Sequence, residues 1–520
     1  MHSFDILAFI AASWLAILLC RKRKRELLPL PPGPRKLPIV GNLFDIPIDL
    51  GWLVYHQWSR LFLTICVDTD ILHLDVAGTS IIVLDRYEAA WELFEKRSSI
   101  YSGRPSMPMV TELMGWDFNT GFMQYGAREH RRLLHRAFNP GAIPAFRPHA
   151  LKATHGLLRR LLDDGGEDVC PDIRQWAGEF SISVAYGLDV KPKNDPYIEL
   201  AEDGVRSLLL AALPGKFLVN TIPILKYMPE WMPGAGFKRQ AKEWRKHARK
   251  MLDAPYEAAK RNLRNTGGRA SFSVLGLEKL NLTETMSHEE ENVQGVAGTL
   301  YAGAYGLTPH DHPTLASCIL LLMDHPEVFK RAQVEVDSIL QPGHLPDFGD
   351  MESLPYIMAI IKETMRLRVI VPLVPHMAQA EDEYNGYRIP KDSIVIANAW
   401  AMLQDDSTYS DPTSFNPDRF MKDGKLNRAV KDPGHATWGF GRRICPGRYL
   451  ALETLWIGVA SLVATFNLTK AVDKDGNIIE PSHEYESGLV AAPLPFKCSF
   501  IPRSNASVDM IRLTSSNNDQ

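Results

Sequence analysis

The chain has 520 residues, 45% of them hydrophobic and 23% charged, and a formal net charge of −3. That is enough material for a large buried core, and the near-neutral balance gives no reason to expect a nucleic-acid partner. Its six cysteines (Cys20, Cys66, Cys170, Cys318, Cys445 and Cys498) lie far apart with no Cys-x-x-Cys pair, which argues against a zinc site or a secreted disulfide framework and suits a reducing compartment.

Residues 6–20 are apolar apart from Ser13, and Arg21-Lys22-Arg23-Lys24-Arg25 follows at once. A cleaved signal peptide carries its positive charge ahead of the apolar run, and here the charge comes after it. The run is therefore expected to be an anchor (1–25), either crossing the membrane or lying in its interface. The positive-inside rule leaves everything beyond the basic cluster in the cytosol. Leu30-Pro31-Pro32-Gly33-Pro34-Arg35 cannot be helical and predicts a stiff hinge over 26–40.

One catalytic domain is expected over 41–502, since neither an internal repeat nor a second composition regime is present. Residues 72–76 and 81–84 predict two strands joined through Ala77-Gly78-Thr79. From Tyr87 the pattern is largely helical, interrupted by proline-rich stretches at 104–109 and 228–234. No Walker loop or Gly-x-Gly-x-x-Gly turn occurs. The polar residues 503–520 lack periodicity and are expected to be disordered.

The most informative stretch is Trp438-Gly439-Phe440-Gly441-Arg442-Arg443-Ile444-Cys445-Pro446-Gly447, which runs into the apolar sequence from Tyr449. Gly439, Gly441 and Gly447 permit tight coiling, and Pro446 suits the first turn of a helix. Cys445 is thus expected at a helix N-terminus beside Arg442 and Arg443, where amides, dipole and cations favour a thiolate. Such a thiolate is a metal ligand or a nucleophile.

The spacing Trp438-x-x-Gly441-x-Arg443-x-Cys445-x-Gly447 resembles the haem-binding loop of the cytochrome P450 family, whose first position is usually Phe. Glu363-Thr364-Met365-Arg366 followed by Pro417-Asp418-Arg419-Phe420 resembles two further family motifs. The resemblance runs from Pro31 to about Pro502 and is greatest to membrane-bound fungal members placed in secondary metabolism. It implies a mainly α fold with a small β region and haem b between a distal and a proximal helix. Cys445 is then the axial thiolate, whose electron donation favours O–O cleavage. Glu363, Arg366 and Arg419 are implied to form a buried structural triad. Haem propionates are implied to meet Arg443, His376, Arg104 and Arg131, with Arg128 a further candidate; Trp438 and Gly439 belong to the loop beneath the ring. The family's Trp-Arg-x-x-Arg falls on Ala127-Arg128-Glu129-His130-Arg131, so the tryptophan is missing.

The implied activity is that of a monooxygenase acting on an apolar or aromatic small molecule, with electrons from a separate membrane-bound NADPH–cytochrome P450 reductase. Localisation at the endoplasmic reticulum is implied with it. Phe118, Phe122, Leu300, Ala304 and Val371 fall on segments that line the substrate pocket in relatives. The distal helix departs from the pattern. Ala302-Gly303-Ala304 matches, but Tyr305, Gly306 and Leu307 replace the acid and the threonines, and Thr308-Pro309-His310-Asp311-His312-Pro313 intervenes. Three readings follow: a misplaced exon boundary, a real helix break with Thr308, His310 or Asp311 as substitute proton donor, or loss of oxygen activation. The last motivates two alternative functions, an isomerase or dehydratase that does not use O2 and a non-catalytic haem binder.

Overall fold

The computed structural model describes residues 28–516 apart from 66–69, 127, 168, 214, 267–268, 281–286, 305–312 and 342. The expected anchor therefore lies outside the described residues, as does Thr308. No helix among those described is long and apolar enough to cross a membrane.

Chain entry is through α1 (Gly51–Ile65), then β1 (Ile71–Val76) and β2 (Thr79–Leu84). The two strands pair antiparallel from Ile71↔Leu84 to Val76↔Thr79. Ala77 and Gly78 make the turn with φ of 51° and 90°, the left-handed conformation that a two-residue hairpin loop requires. Helices follow: α2 (Arg128–Ala137), α3 (Arg147–Asp164), α4 (Val169–Tyr186), α5 (Pro196–Ala212), α6 (Gly236–Thr266), α7 (His288–Ala304), α8 (Pro313–Asp324), α9 (Pro326–Ile339) and α10 (Pro355–Leu367). Next come β3 (Leu373–Met377) and β4 (Ile394–Asn398), which complete a four-stranded sheet in the order β1-β2-β4-β3. The β2–β4 pairing is parallel, so distant parts of the chain are bound into one sheet.

The apolar run after Cys445 becomes α11 (Arg448–Thr465), with nearly every residue from Thr454 onward buried. A helix apolar on all sides belongs inside a core, and α11 packs against α3, α9 and α10. The chain leaves through the antiparallel pair β5 (Phe466–Lys470) and β6 (Cys498–Pro502). The tail then departs from expectation. Residues 505–516 form a further helix, α12 (Asn505–Ser516), rather than a disordered tail. Ile511 of α12 is fully buried, and Arg159 of α3 donates to Thr514 Oγ1 at 2.6 Å. Polar composition hid this element because a buried isoleucine and a contact from a distant part of the chain hold it.

Behind the core, Glu363 and Arg366 are fully buried on α10. Arg366 Nε and Nη2 donate to the two Glu363 oxygens at 2.8 and 2.9 Å, and Arg419 Nε donates to Glu363 Oε1 at 3.0 Å. Arg366 also donates to the carbonyls of Leu403, Pro412 and Ser414, and Arg419 to those of Ser410 and Asp411. The triad thus pins the irregular segment 403–419 to α10.

Candidate haem site

Cys445 is three residues ahead of α11 and partly accessible. Its amide donates to the Trp438 carbonyl at 2.8 Å, closing the loop. Gly447 caps the helix, so Pro446 sits just before the cap and not within the first turn. Gly439 and Gly441 adopt φ of 76° and 56°, whereas Gly447 is at −83° and needs no glycine on that ground. At Gly441 a Cβ would stand 2.0 Å from the Phe94 carbonyl oxygen. Trp438 is half-buried against Gly434.

The electrostatics of Cys445 differ from the expectation. Burial pushes its thiol above the ordinary value, opposed by the amides of Gly447 and Arg448 and by the Arg448 guanidinium. Arg442 and Arg443 do not supply the pull that was expected of them, because their side chains lead away from the sulfur. Arg443 Nε donates to the Ser102 carbonyl and Nη2 to that of Met123, each at 2.8 Å.

Around Arg443 three guanidiniums converge. Arg104 Nε donates to the Gly121 carbonyl at 2.9 Å and Nη1 to that of Pro375 at 2.6 Å. Arg131 Nη2 donates to the Tyr125 carbonyl. Burial and the neighbouring arginines push Arg443 down to about 9 and Arg104 down to about 10. Among the described residues no ion pair reaches Arg104, Arg131 or Arg443; their hydrogen bonds go to carbonyls. Partly buried like charges with no counter-charge call for an anion.

His376 on β3 is buried. Its Nδ1 lies 2.6 Å from the Tyr101 carbonyl and its ring stacks on Phe94, centroids 4.1 Å apart. Burial, Arg104 and Arg443 hold it well below the ordinary histidine range, so the ring is neutral and Nδ1 donates. Its Nε2 is buried without a partner. Arg128 is exposed at the start of α2, and its charge is among those that push Arg131 down.

On the other side, α7 ends at Ala304 and α8 begins at Pro313. Tyr305 to His312, Thr308 included, lie between them outside the described residues. Phe118 is buried and stacks on Trp116 with centroids 5.2 Å apart. It lies so near α7 that a Cβ on Gly298 would be 3.0 Å from its ring. Thr120 N donates to Thr299 Oγ1 at 3.1 Å, tying the loop after Phe118 to the same helix. Phe122, Leu300 and Val371 are half-buried. Ala304 is the last residue of α7, its side chain beyond description.

Sequence reasoning missed Tyr125. Its ring lies 3.9 Å from the Arg131 guanidinium carbon, 5.4 Å from that of Arg442 and 5.7 Å from that of Arg443. The available signal was an aromatic residue just ahead of an arginine-rich helix.

A cysteine at the head of a buried helix, glycines that let its loop coil, and unpaired cations with an orphaned imidazole nitrogen define a haem-thiolate protein. The residues present fit haem, whose two carboxylates supply the missing counter-charge. A profile of the Cytochrome P450 family matches residues 31–500. The chain is 42% identical over 517 residues to Cytochrome P450 monooxygenase 98 of Postia placenta, covering 98% of each. It is 39% identical to Cytochrome P450 monooxygenase ple1 of Rhodocybe pseudopiperita, covering 98% of this chain and 96% of the relative. It is also 38% identical to Tryptamine 4-monooxygenase of Psilocybe cyanescens, covering 93% and 94%. The chain belongs to the cytochrome P450 family, and is an oxidoreductase of the haem-thiolate monooxygenase kind.

Proposed function

We propose that this enzyme is membrane-bound and inserts one oxygen atom from O2 into an apolar or aromatic small molecule of fungal secondary metabolism. Electrons come from NADPH through a separate flavoprotein reductase. The observation that carries the site assignment is Cys445 heading α11 in a loop whose Arg443 gathers with Arg104 and Arg131, none of which pairs with a carboxylate among the described residues. When bound, haem supplies oxygen activation at an iron held by a cysteinate.

The chain's own residues do the rest. Cys445 would hold the haem iron through its sulfur, and the Gly447 and Arg448 amides would spread the charge there. Arg104, Arg131 and Arg443 would hold the haem propionates. His376 keeps its Nδ1 proton on the Tyr101 carbonyl, so contact between Nε2 and a propionate takes one further proton, held at that nitrogen or on the carboxyl. Trp438 and Gly439 form the floor of the loop. Phe118, Phe122, Leu300, Ala304 and Val371 give the substrate an apolar wall, which selects for hydrophobic ligands. The likeness to a tryptamine 4-monooxygenase supports the aromatic end of that class. Residues 6–25 support anchorage at the endoplasmic reticulum with the catalytic body in the cytosol.

Cys445→Ala tests the site: the red-shifted band of the reduced carbon monoxide complex should vanish, and its persistence would refute the axial assignment. Turnover tests the reaction. Product should require both oxygen and reductase; product formed anaerobically without reductase would establish the isomerase reading, which the replacement of the distal acid and threonines by Tyr305, Gly306 and Leu307 keeps in view.

A further inference from the structure

We infer that Tyr125 is a positioning residue for the cofactor: its ring gathers Arg131, Arg442 and Arg443 into one array before any anion is present. The inference rests on the haem assignment above.

Three cations crowded together repel one another, and water solvates each more cheaply when they are apart. Arg131 and Arg443 are each held below the ordinary arginine range, with neighbouring arginines among the causes. Something must offset that repulsion. No carboxylate pairs with either among the described residues, and the carbonyls that receive them act one cation at a time. Among the described residues, only the Tyr125 ring lies near all three guanidiniums, at 3.9, 5.4 and 5.7 Å from centroid to carbon. The face of an aromatic ring carries partial negative charge and attracts guanidinium within about 6 Å. Arg131, the nearest, is on α2; Arg442 and Arg443 are on the cysteine loop. The ring therefore links the two elements that flank the propionate side of the site. In sequence it lies two residues before Ala127, where the family's tryptophan is missing.

The contact between Arg131 Nη2 and Tyr125 is to the backbone carbonyl, so changing the side chain leaves that bond in place and isolates the ring. The test is made on full-length holoenzyme, with two readouts that do not depend on turnover: the rate of haem transfer to excess apomyoglobin, and the ferric/ferrous midpoint potential. Tyr125→Leu fills the volume without a ring, and Tyr125→Phe keeps the ring without the hydroxyl. The Leu variant should lose haem about tenfold faster, the factor expected for loss of one partly desolvated cation–π array, and its potential should shift. The Phe variant should match the parent within about twofold on both readouts. A Leu variant that retains haem like the parent would overturn the inference, since packing alone would then suffice. So would a Phe variant as leaky as Leu, because the hydroxyl would be the agent. If Cys445→Ala leaves the carbon monoxide band unchanged, the haem assignment has failed instead, and the two failures are distinguishable.

Discussion

Glu363 is the position where a single substitution should do most damage away from the haem. It is fully buried and accepts four hydrogen bonds: two from Arg366, one from Arg419 and one from the Asn416 amide at 2.9 Å. Glu363→Ala leaves two guanidiniums in the interior, Arg366 with no exposure and Arg419 with side-chain exposure of 7%. Removing one partner of a buried ionic group typically costs about 3–5 kcal/mol. Against a whole-protein stability of roughly 5–15 kcal/mol that is a large fraction. An apolar replacement of all three residues is often harmless in other buried ion clusters. Here it should be worse than the single change, because the arginines also serve five carbonyls between Leu403 and Ser414. The Leu403 carbonyl is buried, those of Pro412 and Ser414 are partly so and those of Ser410 and Asp411 are exposed; an orphaned buried acceptor costs about 1–3 kcal/mol, so the added loss falls on the first three. Urea unfolding followed by far-ultraviolet circular dichroism would rank parent, Glu363→Ala and the triple Met variant by midpoint. A Glu363→Ala midpoint equal to the parent's, or a triple variant more stable than the single one, would refute the reasoning.

Gly441→Ala should fold poorly around the cysteine loop, since the new methyl would stand 2.0 Å from the Phe94 carbonyl oxygen at a residue already at φ 56°. Haem per polypeptide in purified protein measures it, and stoichiometric haem would contradict the close approach. Acid should destabilise the protein through His73, which burial and then Lys36 push down from 6.5 to about 4. The unfolded chain binds that proton first, so stability is whole above pH 6.5, falls with falling pH and loses roughly 3 kcal/mol from this residue by pH 4. His73→Gln should flatten the pH dependence of the urea midpoint across that window, and an unchanged slope would remove His73 as a cause. Ile511→Ala should cost about 2–4 kcal/mol and expose α12 to limited proteolysis; a cleavage pattern like the parent's would show that the helix is held by other contacts.

Much of the fold was legible because its signals were local or spaced in a fixed way. The strands around Ala77-Gly78 are rich in β-branched and apolar residues and turn on a dipeptide whose backbone the hairpin demands. The helix after Cys445 is apolar on every side, which only a core position explains. The closing helix was not legible. Its residues are mostly polar, and its order comes from Ile511 against the body and from Arg159 reaching across from α3. A contact between residues 355 apart in sequence leaves no periodic trace.

The cysteine loop was legible as a unit, but its electrostatics were not, and the reason is geometric. Reading Arg442 and Arg443 beside Cys445 treats sequence neighbours as spatial ones. The tight turns at Gly439 and Gly441 carry the Arg443 side chain away to the carbonyls of Ser102 and Met123. The cation that acts on the sulfur comes instead from Arg448, in the first turn of the helix, with the amides of Gly447 and Arg448. One loop thereby separates two tasks that its sequence runs together: amides for the thiolate on one side, guanidiniums for carboxylates on the other. Arg104, from a proline-rich stretch some 340 residues earlier, joins the second group through the carbonyls of Gly121 and of Pro375 on β3. Arg128, exposed and three residues before Arg131, acts on that neighbour through its charge. Charge in the sequence marks candidates; the carbonyls that receive each guanidinium decide where it is held.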